Sequence, residues 1–89
     1  MTRSLRTPGH QALMQVLVET RKSKRITQQE LADRLDRPQS YVAKVETGER
    51  RLDVIEFMEW TEAAGVDPNE SFREFLGKVV ALRAKPRGS

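Results

Sequence analysis

The chain has 89 residues, 37% hydrophobic and 33% charged, with a net charge of +3, one histidine and no cysteine. That length holds one small domain whose core is just adequate without staples, and the composition excludes disulfides, thiolate metal sites and a histidine-based metal cluster. No run is apolar enough for a membrane span and no charged-then-apolar leader opens the chain, so a cytoplasmic location is expected.

Residues 1–8 lack periodicity and contain Arg3, Arg6 and Pro8. They read as a flexible N-terminal tail, the alternative being an arm that lays arginine in a minor groove. The domain is expected over 9–84, followed by a flexible basic tail over 85–89. A first helix is predicted from Gly9 to Ser23, with Leu13, Val16, Leu17 and Thr20 on one face, Met14 and Val18 widening it, and Arg21, Lys22 and Lys24 suiting its C-terminal dipole.

Thr27 and Glu30 have the spacing of a capping box, so a second helix starts near Gln28. Leu31, Ala32 and Leu35 share its core face, while Gln28, Gln29, Asp33 and Arg34 fall mostly outside. Asp36-Arg37-Pro38 breaks the run, because Asp tolerates a left-handed backbone and Pro disfavours helix for the residue before it. A third helix then begins at Pro38 or Gln39, turns Val42 and Val45 inward and leaves Gln39, Ser40, Tyr41 and Lys44 outside. Gly48 ends it.

Asp53 and Glu56 form a second capping box, opening a fourth helix whose stripe runs through Val54, Phe57, Met58, Thr61 and Ala64 to Gly65, with Ile55 and Trp60 partly off it. Asp67, Pro68 and Glu70 mark a fifth start, followed by Phe72, Phe75, Leu76, Val79 and Val80, with Leu82 beyond. Strand alternation and internal repeats are absent, so the expected fold is all-α, a compact five-helix bundle.

The charge is uneven along this plan. Residues 1 to 51 hold 11 Lys or Arg against 6 Asp or Glu, a balance of +5, whereas residues 52 to 89 hold 5 against 7, a balance of −2. A basic half containing the helix pair orients a molecule toward a polyanion, although asymmetry of this size also occurs in domains with no such partner.

Thr27-Gln28-Gln29-Glu30-Leu31-Ala32, Gln39-Ser40-Tyr41-Val42 and Lys44-Val45-Glu46-Thr47-Gly48-Glu49-Arg50 together resemble the helix-turn-helix domain of the phage repressor and Cro type, the XRE family. The similarity runs from about Leu17 to Val66. It implies that helices 2 and 3 form the helix-turn-helix, and that Gln28, Gln39, Ser40 and Lys44, with Tyr41 beside them, meet DNA. Geometry supports this, since a major groove admits one helix whose N-terminal turn points deepest. Gln39 is the leading base reader toward adenine, Lys44 reaches guanine or a phosphate, and Gln28 suits a phosphate at the groove's mouth. Tyr41 either joins them or lies across the turn against Pro38.

Arg37 stands where relatives usually carry a small apolar residue; it can lay its stem on the core and lend its charge to a phosphate. Arg50 and Arg51 suit the DNA backbone, the plainer reading being a solvated loop. Arg25 stands where relatives often carry Gly or Asn. The resemblance also pairs Arg21 with Glu46 as a structural ion pair.

The function expected is therefore a sequence-specific regulator of transcription, of repressor type, that binds double-stranded DNA as a homodimer. Phe75, Val79, Val80 and Leu82 are the candidate dimer surface, unless the whole stripe is core. The alternative is a protein-interaction module of the same fold, antitoxin-like or polymerase-associated, using an acidic Glu56, Glu59 and Glu62 face near Trp60. Enzymatic activity, a cofactor, a metal, a small-molecule ligand and a membrane partner are not expected.

Overall fold

The computed structural model describes residues 7–84. Among them are five helices and no strand: α1 Pro8–Ser23, α2 Gln28–Leu35, α3 Gln39–Thr47, α4 Val54–Ala64 and α5 Pro68–Ala84. Arg3, Arg6 and the tail expected over 85–89 lie outside the described residues. The first helix starts one residue earlier than the periodicity predicts. Thr7 caps it by accepting the His10 N–H at 3.1 Å, and Pro8, with its fixed φ and missing N–H, suits the first position. Both predicted capping boxes are formed, Thr27 with Glu30 and Asp53 with Glu56.

Four helix ends close with one hydrogen-bond pattern. Ile26 N–H bonds the Arg21 carbonyl while Arg25 N–H bonds that of Lys22, and the same pair recurs at Arg37 and Asp36, at Glu49 and Gly48, and at Val66 and Gly65. The pattern needs a left-handed residue at its centre. Gly48 and Gly65 supply it at φ 87°, Asp36 at 56° and Arg25 at 57°. Arginine has neither glycine's freedom nor the local hydrogen bonding of Asp, so the end of α1 is the strained one.

The core joins Leu17 of α1, Leu31 and Ala32 of α2, Tyr41, Val42 and Val45 of α3, and Phe57, Trp60 and Ala64 of α4. Trp60 is its largest fully buried side chain, and its indole Nε1 donates to the Leu17 carbonyl at 3.3 Å. This corrects the stripe expected on α4. The buried face is Phe57, Trp60, Thr61 and Ala64, whereas Val54 is 73% and Met58 42% exposed. Burying the indole removes the most apolar area and gives its N–H a partner, so the helix turns to suit it. Arg34 ties α2 to α4 by donating to the Ala63 carbonyl at 3.0 Å.

On α5, Ser71 and Val79 are buried and Phe75 and Leu82 half-buried, which turns Phe72, Leu76 and Val80 outward. Lys78 reaches Glu19 of α1 at 3.2 Å. No helix among the described residues is long and apolar enough to cross a membrane.

Candidate nucleic-acid interface

The turn between α2 and α3 fixes where the outer side chains point. Asp36 takes the left-handed conformation, Pro38 is extended at φ −69° and ψ 153°, and α3 therefore starts at Gln39. Gln39, Ser40 and Lys44 are exposed along its outer face. No side chain caps this N-terminus, so its first N–H groups remain open to an anion.

Gln39 is not free to swing. Its Nε2 donates to Gln28 Oε1 at 2.6 Å, and Gln28 Nε2 donates to Glu46 Oε1 at 2.9 Å. Glu46 in turn accepts from Arg21, whose Nε reaches Oε2 at 2.7 Å and whose Nη2 reaches Oε1 at 3.0 Å. Arg21 is itself held by the Ile26 carbonyl at 2.7 Å. The Arg21 and Glu46 side chains are only 11% and 7% exposed. The pairing that the resemblance implied is thus present, with an extension it did not contain: Gln28 lies between the buried pair and Gln39. One line of hydrogen bonds runs from α1 through the start of α2 to the first residue of α3.

The other flank of α3 carries a second cluster. Tyr41 was expected outside, but its ring is buried, 6.4 Å from that of Trp60, and lies under two guanidiniums. Arg37 is 4.5 Å and Arg50 4.9 Å from the ring centroid, which is cation–π range. These two arginines precede and follow α3 in the chain, yet they meet over one ring because Glu56 stands beside it. Glu56 Oε2 accepts from Arg50 Nη2 at 2.9 Å, Oε1 from Arg50 Nη1 at 3.2 Å, and Arg37 approaches Oε2 to 3.7 Å. Oε1 also accepts the Asp53 N–H of the capping box at 3.0 Å.

Arg50 and then the Asp53 N–H hold the Glu56 carboxyl below the usual carboxylate range, and the hydrogen bond to Glu56 in turn raises Arg50. Burial, and next the charge of Glu56, push the Tyr41 phenol up against the opposing pull of the two arginines. Sequence reading gave Glu56 two roles, a helix cap and a member of an acidic face with Glu59 and Glu62; its bond to Arg50, six residues before it, is what that reading missed.

Arg51 is exposed, and its carbonyl accepts from Arg50 Nη1 at 2.8 Å. Phe75, Val79, Val80 and Leu82 all lie on α5, away from these two clusters in the chain, and only Val80 among them is fully outward. Among the described residues no group of three or more His, Cys, Asp or Glu is placed to hold a metal ion.

A family model described as helix-turn-helix matches residues 17–71. A solved structure, an XRE-family like protein from Pseudomonas syringae pv. tomato str. DC3000, is similar at 50% identity with a TM-score of 0.70, covering 83% of this chain and 85% of that one. No curated protein matches. With a matched helix pair, an exposed α3 face and this degree of identity, the chain belongs to the XRE family of helix-turn-helix DNA-binding regulators.

Proposed function

We propose that the protein is a sequence-specific transcriptional regulator of repressor type that places α3, about residues 39–46, in the major groove and acts as a homodimer on a two-fold symmetric operator. The observation carrying this reading is the exposed start of α3, held in fixed register through Gln28, Glu46 and Arg21. Gln39 keeps its Oε1 and a second amide hydrogen for an adenine edge, Ser40 stands beside it, and Lys44 one turn on is directed to guanine or a phosphate. Gln28 and the start of α2 face one phosphate strand. The basic flank of Arg37, Tyr41, Arg50 and Arg51 faces the other.

A single short helix reads few base pairs, so two copies on half-sites about 34 Å apart multiply the specificity. The face that supports pairing is narrower than the stripe read from sequence. Phe72, Leu76 and Val80 recur every fourth residue on α5 and are 44%, 47% and 66% exposed, whereas Val79 is buried. Dilution during light scattering tests this, and a strict monomer at every concentration overturns it.

The interaction-module alternative drew on Glu56, Glu59 and Glu62 with Trp60. Trp60 is buried and Glu56 is bound to Arg50, which leaves Glu59 and Glu62 of that face for a partner. Selecting duplexes from a random pool tests the whole proposal. A two-fold symmetric consensus is expected, and the absence of enrichment at low salt refutes it.

A further inference from the structure

Steps of about 100° per residue put Gln39 and Glu46 on one flank of α3 and Tyr41 on the other. A helix about 10–12 Å across nearly fills a major groove about 12 Å wide, so each flank runs beside a phosphate strand. The Gln39 flank is tied down by Glu46. On the Tyr41 flank the two arginines are not equivalent. Arg50 directs Nη1 and Nη2 at Glu56 and Nη1 also at the Arg51 carbonyl, whereas Arg37 stops 3.7 Å short of Glu56, beyond hydrogen-bond distance. Arg37 therefore lies over the Tyr41 ring with its donors open and 42% of its side chain exposed.

We propose that this cluster is a single phosphate clasp: Arg37 is the group that bonds the DNA phosphate, the Tyr41 ring is the platform that holds its guanidinium flat, and Arg50 with Glu56 is the brace beside it. The inference rests on the DNA-binding reading and adds a division of labour to it. Arg50 takes the Glu56 carboxylate in two hydrogen bonds and so holds Arg37 at the 3.7 Å of a loose ion pair, with no hydrogen bond to it. Removing Arg50 lets Arg37 swing onto Glu56, and its open donors are lost to the phosphate. The platform follows from shape, since a guanidinium stacked on a ring presents its edge outward, where a phosphate takes it in two parallel bonds. A lysine at position 37 has no such plane to stack.

Titration of mixed-sequence duplex DNA over a range of salt concentrations tests the clasp. Each phosphate contact contributes about 0.9 to the slope of log affinity against log salt. Arg37→Ala is expected to weaken binding about tenfold at low salt and to lower the slope by about 1, with the melting temperature lowered by only a few degrees, as fits the loss of one half-exposed cation–π contact. The Arg37→Ala/Arg50→Ala double variant is expected to lose no more slope than Arg37→Ala alone, because the cluster serves one phosphate. Two independent contacts would lose about 2. Tyr41→Phe keeps the ring and is expected to bind like the parent. An unchanged slope in Arg37→Ala, or a loss near 2 in the double variant, overturns the clasp while the DNA-binding reading stands. A parent protein with no salt-dependent duplex binding overturns both.

Discussion

Glu46 is the residue whose loss reaches furthest. Glu46→Ala removes the acceptor of three hydrogen bonds, two from Arg21 and one from Gln28, and leaves Arg21 with the Ile26 carbonyl alone. Breaking a buried pair by removing one partner costs about 3–5 kcal/mol. With 11% and 7% of the two side chains still exposed, the lower end applies, about 3 kcal/mol. At about 4–8 °C per kcal/mol for a domain of this size, the melting temperature should fall by about 12–24 °C. Circular dichroism at the helix band measures this, and Trp60, the only tryptophan and fully buried, reports the same transition by fluorescence. Glu46→Gln keeps the shape and one acceptor and should lose clearly less. Replacing Arg21 and Glu46 together by Met and Leu should recover much of the loss, because no unpaired charge is left inside. A Glu46→Ala variant melting within a few degrees of the parent would refute the reasoning.

Three other outcomes are expected. Arg25→Asn or Arg25→Gly relieves the left-handed strain at the end of α1 and should raise stability by about 0.5–1 kcal/mol, read from thermal melts. Tyr41 is the only tyrosine, so phenolate absorbance titrates it alone; the midpoint should lie above 10 because burial and the charge of Glu56 oppose ionisation. The folded-state value being raised, the stability Tyr41 contributes is fully present below pH 10 and is lost as pH climbs through the folded midpoint. Glu56 has the opposite sign: its lowered carboxyl stabilises the fold above the ordinary value of 4.5, and that stability is lost as pH falls through the folded value. Glu56→Gln, which can still accept the Asp53 N–H, should therefore melt lower at neutral pH and show a shallower fall in melting temperature below pH 4.5.

What the sequence revealed and what it concealed follow from the range of the interactions. Thr27 with Glu30 and Asp53 with Glu56 act within one turn, and Gly48 and Gly65 act on their own backbone, so each is readable from spacing. The α4 face was not, because two apolar stripes share Phe57, Thr61 and Ala64. Choosing between Val54 with Met58 and Trp60 depends on the Leu17 carbonyl, 43 residues away, which takes the indole N–H. Tyr41 misled for the same reason. Its position near the start of α3 says outside, and nothing in the spacing shows that Arg37 and Arg50 converge on its ring. Arg21 with Glu46 was legible only through the resemblance, and the place of Gln28 between Glu46 and Gln39 was not legible at all.

Nine residues make α3 too short to hold a helix by itself, and its N-terminus has no side-chain cap. Its position is set instead by its buried Val42 and Val45 and by two carboxylates, Glu46 from one flank and Glu56 from the other. The two flanks do different work on the proposed reading. Gln39 belongs to the line ending at Glu46, so a substitution along that line disturbs a base-reading amide and should change which duplex is preferred. Arg37 belongs to the cluster around Glu56, which touches no base-reading side chain, so a substitution there should weaken all duplexes alike. Comparing Gln28→Ala with Arg37→Ala on preferred and mixed-sequence duplexes separates the two effects: the first is expected to narrow the gap between them, the second to leave it unchanged.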